Sequence, residues 1–177
     1  MNRFVVATLV CSLAPACSSE TPQAPKSSTK VATSGKTDVP IGQVPAEVLA
    51  AAQAARPGFV PAEAEAETRE GRRYFDIGGK LADGSEVEFD IMEENGRWSV
   101  VETQRDIAFS SAPESVRQAA ASHDSKFAPT RVIESVQSDG VTIYELFGPA
   151  DGDPQGQKVE VKLSGGKAEI LTKEWAH

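Results

Sequence analysis

Few residues of this chain have the type and spacing to do chemistry. Cysteine occurs only as Cys11 and Cys17, and histidine only as His123 and His177. A nucleophilic site needs a Ser, Cys or Thr beside a base, and no G-x-S-x-G turn is present to display one. His123 falls in a helical pattern and His177 is the last residue, so both read as surface or terminal groups. The run Asp151-Gly152-Asp153-Pro154-Gln155-Gly156 has the early oxygen donors of a calcium loop. Its twelfth position is Lys162, where a bidentate Glu is needed, so a polar turn is expected. Glu86, Glu88 and Asp90 share one strand face and read as a solvated acidic surface rather than a catalytic pair. Arg69, Arg72 and Arg73 cluster at a hairpin turn, where they would offer a patch to an anionic partner. The sequence thus predicts no catalytic residue, no metal site and no cofactor.

The remaining reactive residue is Cys17. Met1-Asn2-Arg3 is a short basic start, residues 4–13 are an apolar run, and Ala14-Pro15-Ala16 are small. That is the order of a removable export signal, too short to span a bilayer, which takes about 20 apolar residues. Cleavage after Ala16 would follow an A-x-A site, and Leu13-Ala14-Pro15-Ala16-Cys17 also resembles a bacterial lipobox. With Cys11 inside the signal, Cys17 has no disulfide partner, and an exposed lone thiol is a liability in an oxidising compartment. Lipid attachment at Cys17 is therefore expected. The lipobox resemblance implies outer-membrane sorting, because Ser18 follows the cysteine.

Charge narrows the partner. Arg3 is the only charged residue before Cys17, so the chain from Cys17 holds 17 basic against 26 acidic residues, a net −9. Nucleic acid calls for a basic face and is excluded as a partner. Adhesion to anionic lipid is equally disfavoured, which leaves the N-terminal lipid as the membrane contact.

Residues 17–42 are rich in Ser, Thr, Pro, Lys and Ala and read as a flexible tether, reaching about 25–30 Å. An internal repeat follows, over residues 43–107 and 108–177. At an offset of 68, Pro45, Val48, Ala51, Ala52, Phe59 and Pro61 match Pro113, Val116, Ala119, Ala120, Phe127 and Pro129. With small gaps, Tyr74 falls with Tyr144 and Gly78 with Gly148. Each copy begins with a helix, whose first turn accepts Pro45 or Pro113. Ser111 and Glu114 have the spacing of a capping box. Strands are expected at 63–68, 73–81, 86–93 and 97–105, then at 131–137, 141–147, 158–164 and 167–172. Glu70-Gly71, Asp83-Gly84, Asn95-Gly96, Asp139-Gly140 and Gly165-Gly166 supply the turns, and 148–157 forms a longer connection. Val87, Phe89 and Ile91 would face the helix, with Glu86, Glu88 and Asp90 facing water. The predicted class is α+β: two repeats of one helix followed by a three- to four-stranded antiparallel β-meander. Whether the two meanders join in one continuous curved sheet with the helices on one face is left open.

A V-P-x-x-V helix start, a P-G-F stop and Tyr-led and E-V-E-led strands together resemble the PepSY-like repeat over about residues 43–175. Two in tandem resemble the beta-lactamase-inhibitor-protein-like architecture. The resemblance implies export, an antiparallel sheet backed by helices, and in some members binding or inhibition of a protein. It also places Asp83 at a projecting acidic loop position. The expected function is a tethered, non-catalytic binding or inhibitory module, with an envelope protein or peptide as partner. Tyr74, Asp83, Trp98 and Tyr144 are its expected contact residues. A small envelope hydrolase and a structural lipoprotein without a specific ligand are the competing expectations.

Overall fold

Short alternating segments separated by positive-φ turn pairs favour neighbouring antiparallel strands, and this chain lays them down in order. The computed structural model describes residues 35–150 and 153–175, the side chains of 150 and 153–155 excepted. Among these, nine strands form one antiparallel sheet in which each strand pairs with the next in sequence. They are β1 (Thr37–Asp38), β2 (Val60–Arg69), β3 (Arg72–Lys80), β4 (Glu86–Glu94), β5 (Arg97–Ile107), β6 (Arg131–Gln137), β7 (Thr142–Ala150), β8 (Asp153–Ser164) and β9 (Lys167–Ile170). Helix α1 (Ala46–Ala55) precedes β2, and α2 (Glu114–His123) lies between β5 and β6.

The expected pair of repeats, each a helix followed by its own meander, is corrected by this topology. One nine-stranded sheet carries both helices. The physical reason lies in the middle, where residues 102–107 of β5 pair with 137–132 of β6 without a break. Two separate meanders would leave two long unpaired edges there. The sheet also starts inside the segment read as tether, since Thr37 and Asp38 pair with Ala66 and Glu65. Within the long connection expected at 148–157, β7 runs to Ala150 and β8 begins at Asp153, which pairs with it, so Asp153, Pro154, Gln155 and Gly156 of the calcium-like run are strand.

Local chemistry explains the tight turns. Glu70 and Asn95 each adopt φ 52°, and Gly71 and Gly96 follow at 80° and 74°. This is the paired positive φ that a two-residue hairpin with right-handed twist requires.

Both helices pack on one sheet face. Helix α1 buries Val48 and Ala52 against Ala64, Ile77, Phe89 and Ile91. Helix α2 buries Val116 and Ala120 against Val132, Leu146, Val159 and Val161. Pro45 and Pro113 stand at the helix N-caps, one place before the position expected, where a missing N–H is harmless. The expected capping box is not formed: Ser111 belongs to a 3-10 turn, and Glu114 instead accepts from Arg117 and Gln118 at 2.5 and 2.7 Å.

Past each helix a phenylalanine seals the core against a glycine. Phe59 meets Phe89 edge-on, with centroids 4.9 Å apart. Its ring lies where a side chain on Gly79 would stand, and Phe127 does the same over Gly148.

Candidate functional site

The face away from the helices carries the charge. Strand alternation puts Glu65, Asp76 and Asp90 there, and the register lines them up. Asp38 pairs with Glu65, Glu65 with Asp76, Asp76 with Asp90, and Asp90 with Glu102. Gln137 continues this row on β6. Glu102 joins it only because β5 bulges: Ile91 pairs with Val100 while Asp90 pairs with Glu102, so Val101 is the extra residue. A bulge of this kind exchanges the two faces of a strand. Like charges directly opposite in a sheet cost stability, so a row of acids requires compensation.

Burial sharpens that cost. Asp76, Asp90 and Glu102 are 3%, 6% and 6% exposed. Asp76, Glu88 and Asp90 bring carboxylate oxygens within 4.8 Å of one another. The solvated acidic surface expected from Glu86, Glu88 and Asp90 is thus corrected for Asp90, which is enclosed between Asp76 and Glu102. Among the described residues Lys36, just before β1, offsets part of this charge. Its ammonium forms an ion pair with Asp76 and lies 4.0 Å from Glu65. Burial alone would pull this ammonium down, but Asp76, Asp90 and Glu88 together hold it above its ordinary value. Burial pushes the Asp76 carboxyl above its ordinary range, with Glu67 and Glu65 adding to the effect and Lys36 opposing it.

The far half of the same face is built from β6–β8. Lys158 Nζ lies 3.3 Å from Glu145 and 2.7 Å from Glu160 and also contacts Glu174. Burial raises the Glu145 carboxyl despite Lys158. After β9 the chain turns back, and the Trp175 amide donates to Glu160 at 2.8 Å. Lys162 sits 4.7 Å over the Trp175 ring. Arg131 spans Asp106 with bonds of 2.8 and 3.0 Å. On β6 the buried Ser135 Oγ has no hydrogen-bond partner among the described residues. The face is therefore strapped at one end by Lys36 and at the other by the segment around Trp175.

The contact residues expected from sequence are dispersed. Tyr74 is 1% exposed on the acidic face, beneath Arg69 at 4.4 Å. Tyr144 is 3% exposed on the helix face, in the α2 core. Neither displays a ring to a partner. The matched tyrosines point to opposite faces because the equivalent of Tyr144, in the core under a helix, is Phe75. Trp98 packs at the rim of the α1 core, 5.4 Å from Phe75. Asp83 is exposed, but its Oδ1 accepts from the Ser85 amide and hydroxyl at 2.9 and 2.6 Å, which hold its carboxyl below the usual range. The arginines divide between the faces: Arg69 pairs with Glu67 beside Tyr74, while Arg73 pairs with Glu93 over Trp98. Arg72 is exposed at the start of β3. Cys17 and His177 lie outside the described residues. The residues that sequence reading missed are Lys36, Asp76 and Glu102; only strand register and a bulge bring them together.

Tyr144 yields a measurable consequence. Its hydroxyl donates to Glu134 at 3.1 Å, and burial with the Glu134 charge pushes its pKa up to about 12. Ionising it costs folded-state stability, so stability falls as pH rises from 10 towards 12. Absorbance titration at 295 nm is expected to show a Tyr144 phenolate appearing near pH 12. A Tyr144→Phe variant removes that step; a Tyr144 step near pH 10 would contradict the enclosed phenol.

Two chemistries can be weighed here. Asp76, Glu88 and Asp90 offer the hard oxygen donors of a divalent cation site. The Lys36 ammonium already stands against Asp76, so a metal ion would have to displace it. An open cleft of about 190 Å³ is lined by His123, Lys158, Glu160, Thr172 and Glu174, among others. His123 is exposed at the end of α2, and the described residues that line the cleft include no serine or cysteine.

No family model and no curated relative matches the chain. Among solved structures, the chain is similar to a protein of the DUF2874 family from Bacteroides vulgatus, described as periplasmic. The likeness has 18% identity and a TM-score of 0.29, and covers 72% of this chain and 96% of that one.

Proposed function

We propose that the chain is an exported, non-catalytic binding or inhibitory module of the cell envelope. Lipid on Cys17 anchors it to the outer membrane, and it engages a protein or peptide through the sheet face away from the helices, with its hairpin loops at the rim. The observation that carries this reading is the row Glu65, Asp76, Asp90 and Glu102 on adjacent strands. Folding alone gains little from such a row, because each carboxylate there is costly to enclose. Among the described residues both helices pack on the other face. A hydrolase fits less well, since the described residues that line the cleft beside His123 include no Ser or Cys.

Affinity capture from native envelope extracts provides the test. Capture of a defined partner is expected with the wild-type chain and with Gln53→Lys on α1, and is expected to fail with Glu88→Lys and Gln104→Lys. Equal capture by all four proteins would overturn the assignment of the face.

A further inference from the structure

We infer that the outer edge of β9 is an interface for a second copy of this chain, two β9 strands pairing antiparallel about a two-fold axis at Ala168. This edge lies outside the acidic row of β2–β5.

Strand β9 ends the sheet: β8 lies on one side of it, and among the described residues no strand lies on the other. Its pairing fixes which groups look outward. Ser164 pairs with Lys167, Leu163 with Ala168, Lys162 with Glu169 and Val161 with Ile170. Just past the strand, the Leu171 amide donates to the Glu160 carbonyl at 2.9 Å. Hydrogen-bonded and non-bonded pairs alternate along an antiparallel ladder. The N–H and C=O groups of Lys167 and Glu169 therefore turn inward like those of Leu171, and those of Ala168 and Ile170 turn to the outer edge. Outward donors and acceptors of this kind are a template for another strand.

Side chains then select the occupant. Lys167 and Glu169 are exposed, with half-buried Ala168 between them. With the two-fold axis at Ala168, this residue bonds to its own copy. Lys167 of each chain then stands opposite Glu169 of the other, an attractive cross-strand pair made twice. An axis at Glu169 sets Glu169 against itself, and one at Lys167 sets Lys167 against itself. An axis at Ile170 carries Lys167 past the end of the facing strand. Charge thus singles out one register. On the helix side, Ala168 and Ile170 are only partly covered at the rim of the α2 core, and a second β9 beside them extends that cover.

The opposite edge of the sheet does not offer the same pairing. There β1 already covers Glu65 and Ala66. Glu63, Glu65 and Glu67 alternate along β2, so a second β2 laid antiparallel in full overlap would set glutamate against glutamate. Two unlike edges, one of them self-complementary, favour a closed pair over an open chain of copies.

Sedimentation equilibrium of the mature chain carrying Cys17→Ser, from about 1 µM to about 1 mM, spans weak association. Reversible dimerisation is expected, with no larger species. Lys167→Glu and Glu169→Lys should each weaken it about tenfold, because either change makes both cross-strand pairs like-charged. An equimolar mixture of these two variants should dimerise as the wild type does, since each chain then meets opposite charges on the other. The double variant Lys167→Glu/Glu169→Lys should do the same. Ala168→Pro removes an outward N–H that β8 does not use, so it should keep the wild-type circular dichroism and lose the dimer. A wild-type chain that stays monomeric at the highest concentration would overturn the inference. So would folded single variants that dimerise as the wild type does, or a mixture and a double variant that both stay monomeric. Growth of the wild type beyond a dimer would also overturn it, by putting β9 against a different edge.

Discussion

Gly79→Ala is expected to destabilise the protein by about 3 kcal/mol, lowering the melting temperature by roughly 10 °C. A Cβ at this position would lie 2.3 Å from the Val60 carbonyl oxygen and 2.7 Å from Phe59 Cε2. The carbonyl belongs to the backbone of a paired strand and cannot swing aside. The ring cannot retreat either, because its other edge meets Phe89 in the α1 core. The strain must therefore separate β2 from β3 or unseat Phe59, and losing a buried Phe costs about 3–5 kcal/mol. Gly148→Ala repeats the conflict at 2.6 Å from the Phe127 ring, with a smaller expected loss because the nearest backbone atom, the Ala128 carbonyl, is 3.0 Å away. Gly42→Ala is the control: nothing lies within 4 Å, so a change within about 0.5 kcal/mol is expected. Thermal unfolding followed by circular dichroism checks all three. A Gly79→Ala protein that melts with the wild type would show that Phe59 does not close the core as described.

The second large effect concerns Lys36. Lys36→Met should cost about 2–3 kcal/mol at pH 8, at the lower end of the cost of orphaning a buried charge because Lys36 is partly exposed. Asp76→Asn added to it should restore much of the loss, so the double variant should be more stable than the sum of the single ones predicts. The pH dependence has a definite sign. Burial already holds the folded Asp76 carboxyl above its unfolded value near 3.8, so folding takes up a proton there and stability rises as pH falls through that window. Removing Lys36 takes away the charge that opposes this rise and widens the window upward. The deficit of Lys36→Met should therefore shrink between pH 8 and pH 5 in urea unfolding. A constant deficit would mean that Asp76 is not the group left unpaired.

Much of the secondary structure was legible because it is local. The hairpins at Glu70-Gly71 and Asn95-Gly96 follow from which residues tolerate positive φ, and the helix stop at Pro57-Gly58 follows from chain chemistry. The joining of β5 to β6 was not legible, since nothing within either strand says which neighbour it pairs with. The site was even less so. The sequence pattern places Glu88 and Asp90 on one strand's polar side, but their meaning depends on Asp76 and Glu102 arriving opposite Asp90. Glu102 arrives through a one-residue bulge at Val101, which no alternation pattern announces. Lys36 lay within a stretch whose composition reads as linker, so its role as counter-ion had no sequence signal. The tyrosines misled for a related reason. A one-residue difference in matching Tyr74 with Tyr144 exchanges the sheet faces, and both rings are interior.

Site-specific photo-crosslinking in the native envelope tests the docking face most directly. A photoreactive residue is placed singly at Glu88, Gln104 and Asp106 on the acidic face, and at Gln53 and Gln118 on the exposed sides of the helices. A single partner band from the first three sites and none from the helix sites is the predicted result. Crosslinks to one partner from Gln53 or Gln118, with the acidic-face sites silent, would contradict it.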